Sequence, residues 1–159
     1  MKKVCILLFI IALLGVGVVI VFLLNQNPLV SDGFTEYNNA RKQVDISLVN
    51  EGRHNLFIQE VMVNNKTPQK VQLVISYTGQ LVAGGIDDDP LAKFVDISEA
   101  PIHPQLTSQE FQDAVKTKTT PIHYGIRVVG NDDIEVVSIR YKYMGITFTR
   151  EINFNTWPQ

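Results

Sequence analysis

An uninterrupted apolar run from Val4 to Leu24, with no charged residue and no proline, constrains this chain more than any other feature. As a helix rising 1.5 Å per residue it is ~30 Å long, the thickness of a bilayer's hydrocarbon core. Lipid offers backbone N–H and C=O groups no partner, so such a run in a bilayer has to be helical. A cleaved secretory signal is the rival reading, with Lys2 and Lys3 as its basic start. The apolar part of a signal is usually ~7–15 residues and is followed by a small-residue cleavage site. Here the run is longer, and Asn25-Gln26-Asn27-Pro28 follows it. The expectation is therefore an uncleaved, single-pass signal-anchor: residues 1–24 hold the cytoplasmic lysines and a transmembrane helix. Gly15 and Gly17 lack the G-x-x-x-G spacing that packs two membrane helices closely.

Orientation follows from the basic residues. Lys2 and Lys3 flank one end of the run, and no Lys or Arg follows it until Arg41. The positive-inside bias places the N-terminus in the cytoplasm and the rest of the chain outside, at the cell membrane. The formal net charge is −2, and with the two N-terminal lysines set aside the remainder carries −4. A mildly acidic domain has no electrostatic footprint for nucleic acid. The single cysteine, Cys5, lies at the start of the apolar run. That position rules out a lipoprotein anchor, and the remainder has no thiolate for a disulfide or a zinc site. The folded part has to stand on its own core.

Residues 25–42 are polar and show no sustained period, which predicts a stalk before a domain over 43–159. From Val44 the pattern changes: Val44, Ile46 and Leu48 alternate with Asp45 and Ser47, a half-buried strand. Further strands are expected over Leu56–Val63, Val71–Thr78, near Phe94–Ile97, and over His123–Val129, Ile134–Tyr143 and Ile146–Phe154. Turn residues separate them. Thr107-Ser108-Gln109-Glu110 has the form of a capping box, predicting a short helix from Ser108 to Lys116. Short strands at this spacing point to an antiparallel β-sandwich. The segment Val44-Asp45-Ile46-Ser47-Leu48-Val49-Asn50-Glu51-Gly52 resembles the first strand and turn of bacterial surface immunoglobulin-like modules. The resemblance covers a small part of the chain and implies only the fold class: mainly β, immunoglobulin-like, with one inserted helix.

Met144-Gly145 reads as a two-residue hairpin turn, with Gly supplying positive φ. That fixes a register: Tyr143 opposite Ile146, Tyr141 opposite Phe148, Ile139 opposite Arg150, Val137 opposite Ile152 and Glu135 opposite Phe154. It sorts apolar side chains onto one face and polar ones onto the other, which a one-residue slip would undo. Arg150 is the misfit, a charge on the apolar face. Either it pairs with Glu135 or with a carboxylate of the opposite layer, or its stem snorkels to water, or it holds an anionic ligand through its planar donors. Arg150 and Glu135 are thus candidate ligand-binding residues.

Other candidate chemistry is sparse. Asp87, Asp88 and Asp89 form an acidic run able to offer oxygens to Ca²⁺, yet three adjacent acids before Pro90 do not match an EF-hand loop. Histidines 103 and 123 sit in an echoed tripeptide, Pro101-Ile102-His103 and Pro121-Ile122-His123, without the spacing of a zinc protease. Nucleophile-elbow and phosphate-loop motifs are missing, so no catalytic residue and no cofactor is implied. The expected function is a membrane-anchored extracytoplasmic binding or assembly module whose partner is an envelope or membrane protein. The alternative is a carboxylate-dependent enzyme acting on cell-envelope material, its acids gathered by the fold.

Overall fold

The computed structural model describes residues 27–37 and 41–156, and Gly15 and Gly17 alone within the apolar run, both helical. The expected transmembrane helix otherwise lies outside the described residues, among which no helix is long and apolar enough to cross a membrane. The described chain is mainly β. Its strands are β1 (Leu29–Glu36), β2 (Gln43–Asn50), β3 (Leu56–Val63), β4 (Lys70–Ser76), β5 (Lys93–Val95), β6 (His123–Val129), β7 (Val136–Tyr143) and β8 (Ile146–Asn153). One helix, α1 (Ser108–Thr117), precedes β6. Five strands form one sheet in the order β1-β2-β6-β4-β5, and three form a second in the order β3-β7-β8. Every pairing is antiparallel.

The two sheets share one core. Val44, Ile46, Leu73 and Ile126 from the larger sheet and Ile58, Val61, Val137 and Ile139 from the smaller belong to a single buried cluster. Each such side chain contributes about 1.5–3 kcal/mol on burial. The alternation read along β2 marks its inner face correctly, but its outer face is buried too: Asp45 is 0% and Ser47 3% exposed. The cover is the segment after β4, which makes two short 3₁₀ turns, Val82–Gly84 and Ile86–Asp88. Val82, Ile86 and Val74 form a small second core there. Gly125 on β6 makes room for it: an added Cβ would lie 2.5 Å from Val82 Cγ1 and 2.4 Å from the Ile46 carbonyl oxygen.

Residues 29–36, expected as part of a stalk, instead form edge strand β1, paired with β2 along its length. The register shifts between Val30 and Gly33. That bulge places Ser31 and Asp32 where an alternating pattern would show an apolar residue, hiding the strand from a period-two reading. The C-terminal hairpin has the expected register at every pair from Tyr143–Ile146 to Val137–Ile152, and the Phe154 N–H donates to the Glu135 carbonyl. Met144 and Gly145 both have positive φ, 50° and 84°, the twist that suits a two-residue hairpin turn. Tyr141 and Phe148 stack on one face with centroids 5.7 Å apart. The capping box also forms: the Glu110 N–H donates to Thr107 Oγ1, and Thr107 N–H donates to Glu110 Oε2 at 2.9 Å.

Candidate functional site

Where β2 ends and β6 begins, the larger sheet stops short of the segment leading into α1. The gap is a cavity of about 430 Å³, within the range of small-ligand sites. Leu48 and Tyr124, cross-strand partners on β2 and β6, form its floor. Both echoed tripeptides reach it, since His103, Pro121, Ile122 and His123 all line it. In each, isoleucine ties the chain to a sheet and histidine is left at the cavity. Ile102 exchanges backbone hydrogen bonds with Leu56, and the Ile122 N–H donates to the Ser76 carbonyl.

Tyr124 is 6% exposed, and its enclosed hydroxyl lies against the His103 backbone, whose hydrogen bond to it opposes the effect of burial. Burial raises its pKa, so the group is a neutral phenol at physiological pH. His123 is half-buried with its ring 6.1 Å from that of Phe111 on α1. Burial lowers its pKa, against the opposing pull of Asp32, so the neutral imidazole is favoured. The His103 ring lies 6.2 Å from Tyr124, and its Nδ1 is 3.0 Å from Asn55 Oδ1. Gln105 and Gln112 add amides. Among the described residues no lysine or arginine lines the cavity, and Asp32 is its one acid. The lining therefore combines rings with groups that both donate and accept hydrogen bonds.

The other residues singled out from sequence, Asp87, Asp88, Asp89, Arg150 and Glu135, lie outside this cavity. Asp87, Asp88 and Asp89 diverge. Asp87 accepts from Arg127 Nη1 at 2.7 Å, which holds its carboxyl below the usual range. Asp88 is exposed. Asp89 is buried; its desolvation opposes ionisation, but hydrogen bonds from the Thr78 and Ser76 hydroxyls and the Leu91 N–H prevail and lower its pKa. Among the described residues no three His, Cys, Asp or Glu side chains are grouped to hold a metal ion. Arg150 and Glu135 are not joined either. Among the described residues Arg150 has no ion-pair partner, and its Nε is buried without a hydrogen-bond partner. Arg150→Met keeps the apolar stem and removes that unpaired group, so the urea midpoint is expected to stay level or rise. A marked fall would mean that Arg150 has a partner in solution.

Sequence reasoning missed the charged group that the fold does assemble. Asp45 and Arg127 are cross-strand partners on the outer face of β2 and β6. Arg127 donates from Nε to Asp45 Oδ1 at 2.8 Å and from Nη2 to Oδ2 at 2.6 Å. The Tyr37 hydroxyl donates to Asp45 Oδ2 at 2.8 Å, and the guanidinium lies over the Phe94 ring, 4.7 Å from its centroid. Every one of these contacts is internal to the protein, so the network locks the covering segment onto the sheet. No family model matches the chain, and no curated protein or solved structure matches it significantly.

Proposed function

We propose that the chain is a membrane-anchored extracytoplasmic binding module, an immunoglobulin-like sandwich that takes an uncharged, hydroxyl-rich envelope ligand in the cavity above Tyr124. The anchor reading rests on the uncharged Val4–Leu24 run, and the orientation on Lys2 and Lys3. The ligand reading rests on one observation, a cavity of about 430 Å³ whose described lining sets the amides of Gln105 and Gln112 and the imidazoles of His103 and His123 beside the Phe111 ring, with no lysine or arginine among them. Sugar hydroxyls both donate and accept, as do His103, His123, Gln105 and Gln112, and the Phe111 ring offers a flat apolar wall. The carboxylate-enzyme alternative calls for two acids facing one cleft; this cavity offers Asp32 alone.

Gln112→Ala, which removes an exposed amide from the cavity lining, tests the reading. The full chain in detergent, titrated calorimetrically with a panel of uncharged N-acetylglucosamine oligomers, should bind, and the variant should bind roughly fivefold more weakly, about 1 kcal/mol for one hydrogen bond. The unliganded variant should be no less stable than the wild type. Absence of wild-type binding, or equal binding by the variant, overturns the proposal.

A further inference from the structure

The end of the domain from which β1 sets out is fixed by covalent reach and by packing. Three peptide steps separate Leu24, the last residue of the apolar run, from Asn27, a span of about 11 Å at most. Asn27 Oδ1 accepts a 2.6 Å hydrogen bond from the Tyr141 hydroxyl, and the buried Pro28 carbonyl accepts from the Glu51 N–H at 2.9 Å. Pro28, Gly52 and Tyr143 meet here: a Cβ added at Gly52 would lie 2.9 Å from Pro28 Cβ and 2.8 Å from Tyr143 Cζ. The Met144–Gly145 turn follows directly on Tyr143. It therefore lies at the same end of the domain as the entering chain.

This end carries exposed apolar side chains. Met144 is 52% and Phe57 47% exposed, and both line one shallow groove with His54 and Lys142. Arg53, also exposed, is next in the chain to His54. The opposite end, with Asn64-Asn65 and Asn131-Asp132-Asp133, is polar and has no large exposed apolar side chain among the described residues.

We propose that Phe57 and Met144, flanked by Arg53 and Lys142, insert into the headgroup layer of the bilayer that holds the apolar run, seating the domain on the membrane surface. This rests on the anchor reading. A headgroup layer is about 5–7 Å deep on each side, and interfacial apolar side chains reach about 5–10 Å into the boundary. The short span after Leu24 holds this end of the domain within that distance, which singles out lipid as the occupant of the groove. The basic side chains then lie level with the phosphates, and the cavity above Tyr124 opens close to the surface.

The test uses the full chain in phosphatidylcholine vesicles, with Trp157→Phe removing the native indole. Met144→Trp and, at the opposite end, Asp132→Trp are compared for quenching by lipids brominated high on the acyl chain. Quenching and a blue shift at position 144, with neither at 132, are the expected result. Retention in vesicles after alkaline washing without quenching at 144 overturns the docking and leaves the anchor standing. Release of the whole protein by that wash overturns the anchor and the docking with it.

Discussion

Asp45→Ala is expected to lower the stability of the domain by about 3–5 kcal/mol, the cost of removing one partner from a buried ion pair. Asp45 is fully buried and accepts three hydrogen bonds, two from Arg127 and one from Tyr37. Its loss leaves a half-buried guanidinium facing an empty site on the sheet, bonded still to the Tyr37 hydroxyl and to the more exposed Asp87. The energetic weight lies in the buried share of the guanidinium that Asp45 no longer balances. Replacing both partners, Asp45→Leu with Arg127→Met, should therefore restore much of the loss, since a well-packed apolar pair often equals a buried ion pair. Urea unfolding of the single and double variants measures this. A double variant as unstable as Asp45→Ala would show that the pair itself holds the covering segment in place.

Gly125→Ala should destabilise by about 3 kcal/mol, at the upper end of the usual cost of overpacking a core. The added methyl meets a backbone carbonyl, that of Ile46 on the neighbouring strand, as well as the Val82 side chain. A side chain can rotate away, whereas a carbonyl held in the β2–β6 ladder cannot. Gly125→Ala combined with Val82→Ala should consequently recover only part of the loss. Full recovery in thermal unfolding would locate the whole clash at Val82 and show that the sheet yields readily.

Local features of the chain were readable in its sequence, and features joined across long separations were not. Met144-Gly145 fixed the register of β7 and β8 because a two-residue turn leaves no slack. Thr107 and Glu110 announced α1 because a capping box closes within one helical turn. By contrast, Asp45 and Arg127 are 82 residues apart, and nothing in the alternation along β2 shows that its outer face is covered as well. β1 was obscured by its bulge, where Ser31 and Asp32 interrupt the period. At the cavity one signal was visible, the doubled Pro-Ile-His. Its meaning depends on two segments from different loops meeting over Tyr124, a matter of topology that spacing does not encode.

The place of β6 in the larger sheet governs the order in which the domain is able to assemble. β6 lies between β2 and β4, yet it follows both in the chain by dozens of residues. β1 with β2, and β7 with β8, are neighbours along the chain and close cheaply as hairpins. The middle of the five-stranded sheet stays vacant until residue 129 is in hand. Until then β2 presents an unpaired edge and an unneutralised Asp45, and β4 presents a second bare edge. The larger sheet is therefore complete only when long loops on both sides of β6 have closed, which adds to the entropic cost of forming it. Arg127, arriving with that strand, brings the countercharge and the missing ladder in a single step.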